Sequence, residues 1–160
     1  MARLDEGAFT SFYGRATRAL WSYVYRVTGN AADADDIVQE AFLRLLRAEV
    51  GASEEDRRRY LYRIASNLIV DRWRIGRHEE GSRARGREVQ PAADIDRDIA
   101  HTFAELAPRE RALLWLAYVE EDSHEEIASS LGLRRGSIKV LLFRARRRLR
   151  DLLRAKGIQS

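Results

Sequence analysis

The spacing of the apolar residues limits the fold of this chain most strongly, because they recur every three or four positions along most of its 160 residues. Three such stretches follow one another near the N-terminus, over Phe9–Val27, Ile37–Leu46 and Leu61–Ile69. Runs that alternate apolar and polar residues, as strands do, are few, and the chain has only two prolines. We therefore predict an all-α protein.

A change of composition divides the chain into two small helical domains. The three N-terminal stretches can bury a common core, which predicts a domain over residues 7–76. Residues 77–98 lose the periodicity and combine Gly, Ser, Pro and mixed charge, so we predict a flexible linker there. The apolar stripe resumes at Ile99 and predicts a second domain over residues 99–156.

The second domain has the pattern of a helix-turn-helix. Pro108 fits the first turn of a helix, where its missing N–H costs nothing. A short helix over 124–131 precedes Gly132, which can take the left-handed conformation that ends a helix. A longer helix is predicted from about 135 to 154, and this order of elements is typical of a helix-turn-helix.

Charge is concentrated at the end of the chain. Residues 134–156 carry ten basic side chains and one acidic, net +9, directly after residues 101–133 with two basic and seven acidic, net −5. A basic stripe of this density is the electrostatic footprint of phosphate binding. The first residues of such a helix reach base edges in the major groove, and later arginines neutralise phosphates. We predict DNA binding here, the simpler alternative being a solvated helix face.

Composition excludes several classes of protein. The chain has no cysteine, which excludes disulfides, thiolate metal sites and cysteine nucleophiles. Its three histidines are far apart and it has no Gly-rich phosphate loop, so we predict that it is not an enzyme and binds no metal or cofactor. We find neither a signal peptide nor the roughly 18 apolar residues that span a membrane, and expect a cytoplasmic protein.

Two clusters in the first domain leave their interpretation open. The helix over 60–74 interleaves aromatic residues with arginines, as single-stranded DNA binding does, and its Asn67, Asp71 and Arg74 lie near one face. Alternatively, the aromatic residues simply cover the core, and Asp71 and Arg74 form a surface ion pair. Likewise, the acidic turn over 33–40 either docks onto a basic partner helix or is simply solvated.

Three segments resemble bacterial RNA polymerase sigma factors of the extracytoplasmic-function group. They are DADDIVQEAFLRLLR (33–47), YLYRIASNLIVDRWR (60–74) and the region 106–150, and the resemblance covers nearly the whole chain. It implies a two-domain helical factor that binds core RNA polymerase, directs it to promoters and helps to melt the DNA.

The resemblance also implies roles for particular residues. Those facing the coiled coil of the polymerase β′ subunit would be Asp33, Asp36, Gln39 and Glu40. Those binding the −10 element as a single strand would be Tyr60, Asn67, Asp71, Arg72 and Arg74. Those reading the −35 duplex would be Arg134, Arg135, Ser137, Lys139, Val140 and Arg144. The apolar face of 109–119 would hold the polymerase β flap, and an anti-sigma factor would bind between the domains.

Two positions depart from the family pattern. Leu141 stands where the family commonly has Arg, and its spacing of three from Ile138 favours the core. Arg134 stands where a capping Ser is common. These two positions keep open a sigma-like decoy that binds an anti-sigma factor but not DNA. A second alternative is a dimeric helix-turn-helix regulator that acts without polymerase.

Overall fold

The computed structural model describes residues 6–49, 53–76 and 94–158, and within these ranges the chain forms seven α-helices and no strand. The helices are α1 Glu6–Thr28, α2 Ala31–Arg47, α3 Glu54–Gly76, α4 Asp94–Ala104, α5 Pro108–Tyr118, α6 His124–Leu131 and α7 Arg135–Ala155. The predicted all-α class is confirmed. Of the predicted linker, residues 77–93 lie outside the described part, and α4 begins within the remaining residues.

The first three helices bury one apolar core. Leu20, Ile37, Leu61 and Ile69 are almost fully buried there, as their helical spacing predicts. Tyr23 is buried as well, and its hydroxyl shares a 2.7 Å hydrogen bond with the Ser66 hydroxyl across α1 and α3. Burial raises the pKa of Tyr23, so this phenol stays neutral and the polar pair is satisfied inside the core.

Helix α2 starts two residues earlier than the sequence predicts. Asn30 forms its N-cap, and the Asn30 side-chain oxygen accepts a 3.0 Å hydrogen bond from the Asp33 amide. The preceding Gly29 has φ 71°, which lets the chain turn sharply after α1. As a result only Asp33 lies in the first turn, and the prediction that Asp35 and Asp36 lie there too is wrong.

Several predicted core residues are exposed, among them Tyr13 of α1 at 45%. Leu46 is 63% exposed because it follows the buried Leu45 by one position, and a rotation of about 100° carries its side chain off the core face. Ile99 is 44% exposed, since α4 instead packs through Thr102 and Phe103. The Thr102 hydroxyl donates to the Asp98 carbonyl at 2.8 Å, so its burial leaves no polar group unpaired. The side chain of Phe9 lies outside the described part.

The two domains pack against each other, α5 on α1 and α6 on α3. Trp115 of α5 lies 6.2 Å from Tyr23, measured between ring centroids. Arg111 is buried at this contact, and its guanidinium donates to the Val27 carbonyl at 2.7 and 3.2 Å. The same group donates to the carbonyls of Ala104 and Leu106, so it satisfies both the open end of α1 and the turn before α5. Burial lowers the pKa of Arg111.

Candidate nucleic-acid and polymerase interfaces

The helix-turn-helix is held together by local capping. Ser123 begins α6: its hydroxyl accepts from the Glu126 amide at 3.1 Å, and the Glu126 carboxylate accepts from the Ser123 amide at 2.7 Å. Gly132 ends α6 at φ 66°, in the left-handed conformation that the sequence predicts. Apolar residues of both helices then pack against each other where α6 and α7 meet. They are Ile127, Ala128, Leu131, Ile138, Leu142 and Ala145.

This packing turns the opposite face of α7 to solvent. Arg134, Arg135, Lys139 and Arg144 are exposed, and Ser137 is half-buried at the edge of that face. Val140 is 48% exposed although it is apolar. The six residues predicted to read duplex DNA are therefore accessible, at the N-cap and along the first half of α7. The N-terminal end of this helix is the part that reaches base edges in this motif.

Sequence reasoning missed two residues of this face. Phe143 is 54% exposed, and Arg147, one turn further along, is exposed as well. Phe143 lies three positions after Val140, so helical spacing from an already chosen residue was the signal that could have found it. An exposed aromatic ring beside Arg144 offers apolar contact to a thymine methyl group.

Both departures from the family pattern have structural consequences. Leu141 is half-buried and packs against the core, as its spacing from Ile138 predicts. Arg134 occupies the N-cap position of α7 without any side-chain capping bond. The first turn of α7 instead has the weak ion pair of Arg135 with Glu125 of α6, 3.8 Å apart and exposed on both sides.

The residues predicted for the −10 strand form a stripe along α3, with one exception. Tyr60 and Asn67 are half-buried, two helical turns apart, and Asp71 and Arg74 continue the same stripe in exposed positions. The Tyr60 ring is held at the α2–α3 boundary, where its hydroxyl lies 3.5 Å from the Arg44 carbonyl. An aromatic ring followed by an amide, a carboxylate and a guanidinium can stack a base and contact its edge and phosphate.

Arg72 is the exception, because it turns toward α2. Its guanidinium contacts the Asp33 carboxylate at 2.7 Å and the Asp36 carboxylate at 4.0 Å. Arg72 thus joins the residues predicted for DNA to those predicted for polymerase. Gln39 is exposed nearby, and Glu40 is half-buried with its carboxylate 2.9 Å from Arg44.

Most of the predicted flap-binding face is buried. Between residues 109 and 119 the apolar side chains of Ala112, Leu113, Leu114 and Leu116 form the core beneath α6 and α7. A helix crossed by two others in so small a domain buries most of its apolar face. What α5 leaves exposed is its C-terminal end, at Tyr118 and Val119.

Charged residues join α3 to the first turn of α6 and to the segment before it. The ion pairs there connect three residues of α3 with three carboxylates of the other domain: Glu55, Arg58 and Arg59 with Glu120, Asp122 and Glu126. The side-chain hydrogen bond from Arg58 lowers the pKa of Glu55 to about 2. Burial, only partly offset by Arg58, raises the pKa of Asp122 to about 6. Across the described ranges we find neither a set of side chains suited to a metal ion nor a helix able to span a membrane.

Comparison with known proteins gives the family. The model for sigma-70 region 2 matches residues 12–78, and the model for sigma-70 region 4 matches residues 96–149. SigL of Mycobacterium tuberculosis, an ECF RNA polymerase sigma factor, is 30% identical over 98% of this chain and 95% of its own length. SigW of Bacillus subtilis, another such factor, is 30% identical over 94% and 91%.

Solved structures share this fold. RpoE of Bartonella quintana, solved in complex with the anti-sigma factor NepR, matches with a TM-score of 0.72 at 23% identity over 91% of this chain and 96% of that one. CnrH, solved with the cytosolic domain of CnrY, matches with a TM-score of 0.62 at 26% identity over 94% and 90%. The chain therefore belongs to the ECF RNA polymerase sigma factors and is a transcription initiation factor.

Proposed function

We propose that this chain is a cytoplasmic factor that binds core RNA polymerase and directs it to promoters. It acts by binding and by helping to melt the DNA, and it is not an enzyme. The domain over 7–76 binds polymerase and the −10 element, the segment 77–98 links the domains, and the domain over 99–156 binds the −35 element. The observation that carries this proposal is the exposed basic face of α7 in a chain that matches both sigma regions in order.

Duplex recognition follows from the exposed face of α7. Arg135, Ser137 and Lys139 lie in its first two turns, where side chains reach base edges, and Arg144 lies further along, where it neutralises a phosphate. One bidentate contact between a side chain and a base discriminates by about 1–3 kcal/mol. Arg134 adds a charge where a cap would otherwise stand, and Val140 with Phe143 supplies apolar contact.

Strand separation follows from the stripe on α3. Extruding a base costs a few kcal/mol, and stacking on an aromatic side chain returns about 1–3 kcal/mol per base. Tyr60 supplies that ring, while Asn67, Asp71 and Arg74 contact the edge and phosphate of the unstacked strand. Arg72, paired with Asp33, fixes the position of α3 on α2 and reaches DNA only by leaving that carboxylate.

Polymerase binding uses the adjacent face of α2. Asp33, Asp36, Gln39 and Glu40 present carboxylates and an amide beside Leu43, which is partly exposed. This combination fits a basic, partly apolar helix such as the β′ coiled coil. The β flap then meets the C-terminal end of α5 at Tyr118 and Val119, in place of the buried face. RpoE, which shares this fold, was solved with the anti-sigma factor NepR, and we propose that an anti-sigma protein also regulates this chain.

Run-off transcription tests this function. Purified core polymerase from the source bacterium is incubated with a library of its genomic fragments, with and without this chain, and the transcript 5′ ends are sequenced. We expect new start sites that share two motifs at a fixed spacing. An unchanged set of start sites would contradict the proposal, and a palindromic site bound without polymerase would favour the stand-alone regulator.

A further inference from the structure

Lysine is rare in this chain, and one of its lysines lies on the duplex-reading face of α7. Of the 29 lysine and arginine residues only two are lysines, Lys139 and Lys156. Acetylation of a lysine removes its charge, whereas the guanidinium of arginine stays charged and is not a target of acetyl donors. The face proposed above to read the −35 element therefore contains a single cation that acetylation can neutralise.

The two lysines have different surroundings. Lys139 is exposed in the second turn of α7, and among the residues that the structure describes none forms an ion pair with it. The Lys156 ammonium instead contacts the Glu105 carboxylate, at the other end of the helix. An amine in an ion pair has to leave its carboxylate before it can react as a nucleophile, so Lys139 is the more available of the two.

A cavity beside Lys139 can hold a donor that bears a phosphate group. It has a volume of about 540 Å³ and lies between the first turns of α6 and α7, where Arg135, Lys139 and His124 line it. Arg135 and Lys139 are one helical turn apart on the same side of α7. A phosphate bound to the Arg135 guanidinium therefore places an attached acyl group near the Lys139 amine.

The charge around this cavity favours an anionic donor. Glu125 is the one carboxylate in its lining, and its pair with Arg135 is weak, with 3.8 Å between the charged atoms and both side chains exposed. The net charge of +9 over residues 134–156 raises the local concentration of small anions. The charge that attracts DNA phosphates thus attracts the phosphate of the donor as well.

We propose that Lys139 is an acetylation site: a phosphate-bearing acetyl donor held at Arg135 modifies Lys139 and so switches off reading of the −35 duplex. The neutral Lys139 amine attacks the acetyl carbon, a C–N bond forms, and the bond from that carbon to the oxygen or sulfur of the leaving group breaks. The ammonium loses two protons in total, one to the leaving phosphate or thiol and one to water. The effect on DNA rests on the proposed function, whereas the modification itself does not.

Mass spectrometry tests the modification without DNA or polymerase. The purified chain is incubated with acetyl phosphate, and in a parallel arm with acetyl-CoA, and is then digested with trypsin. Trypsin does not cut after an acetylated lysine, so modified Lys139 leaves the peptide GSIKVLLFR (136–144) intact. We expect Lys139 to react severalfold faster than Lys156 in at least one arm, and that arm identifies the donor. Equal rates at the two lysines in both arms would overturn the proposal.

Two charge-matched variants test where the donor binds. Arg135→Gln removes the cation that lies one turn from Lys139 and should slow acetylation of Lys139 severalfold. The control Arg147→Gln removes one exposed charge from the same helix, two turns beyond Lys139, and should leave that rate close to the rate of the unaltered chain. Equal rates in the two variants would reject Arg135 as the residue that holds the donor.

Replacing Lys139 with Nε-acetyllysine by stop-codon suppression tests the effect on DNA. We expect run-off transcription to fall about tenfold while core polymerase still binds, because one contact to a base edge is lost. The control places acetyllysine at Lys156, at the end of α7 opposite to the base-reading turns, and should transcribe close to the level of the unmodified chain. Equal transcription from the two acetylated proteins would overturn the switch. Failure of the unmodified chain in run-off transcription would instead reject the proposed function and leave the mass-spectrometric result standing.

Discussion

Replacing Arg111 with Met should destabilise the whole protein, because this guanidinium links the two domains through main-chain carbonyls. It donates to Val27 at 2.7 and 3.2 Å, to Ala104 at 2.9 Å and to Leu106. Met keeps most of the apolar volume but no donor. The bonds to Val27 and Leu106 are buried, so water cannot readily replace the lost donors there.

The magnitude follows from these carbonyls. Each buried carbonyl left without a donor costs about 1–3 kcal/mol, so the two buried carbonyls alone cost roughly 2–6 kcal/mol. Removing a buried charge returns part of this, because desolvating an ion costs several kcal/mol. We expect a net loss of about 3 kcal/mol, and so a fall in Tm of about 6–12 °C at 2–4 °C per kcal/mol.

Thermal and urea unfolding followed by circular dichroism measure this loss. The control is Arg109→Met, which removes the same charge from an exposed position on the same helix and should change stability by less than about 0.5 kcal/mol. A loss below about 1 kcal/mol for Arg111→Met would refute the reasoning, because the carbonyls would then have other partners or be hydrated.

Three further predictions concern function and pH. Lys139→Ala or Arg144→Ala should lower promoter-directed transcription at least tenfold while core polymerase still binds, because each loses one contact to DNA. Asp36→Ala with Glu40→Ala should weaken association with core polymerase severalfold in a pull-down, because two carboxylates leave the docking face. Raising the pH from 5 to 7.5 should weaken the packing between the domains, measured by energy transfer between dyes on Ala32→Cys and Ala155→Cys, one exposed position in each domain. The raised pKa of Asp122, about 6, means that the packed state takes up a proton, so its stabilisation is complete below about pH 4 and is lost as the pH rises through 6.

Each of these predictions has its own control. Unchanged transcription from both α7 variants would remove Lys139 and Arg144 from the DNA site. Full retention of the α2 double variant on polymerase would reject that docking face, provided that its melting temperature is unchanged. Asp122→Asn should abolish the pH dependence between pH 5 and 7.5, and an equal dependence in this variant would assign the effect to other groups.

The sequence predicted the elements whose signals are local. Pro108 at the start of α5, Gly132 after α6 and the three-four spacing along α7 act within a few residues, so the helix bounds there agree with the structure. Errors arose where one residue of an apolar pair had to face outward. Leu46 follows a buried leucine directly, and periodicity alone did not distinguish the two.

The contacts between the domains could not be predicted in this way. Arg111 reaches a carbonyl 84 positions away, and Arg58 reaches a carboxylate 62 positions away. Nothing in the local sequence distinguishes these arginines from the exposed ones beside them. The candidate site was predictable on α7, where exposure follows from one helix, and less so at Arg72, whose direction depends on how α3 packs on α2.

Permanganate footprinting tests the central claim most directly, because it detects unpaired thymines. On a promoter found by run-off transcription, we predict reactive thymines in the −10 element only when core polymerase and this chain are both present. The −35 element should stay unreactive in the same complex, since α7 binds it as duplex. A −10 element that stays unreactive with both proteins bound would contradict the account.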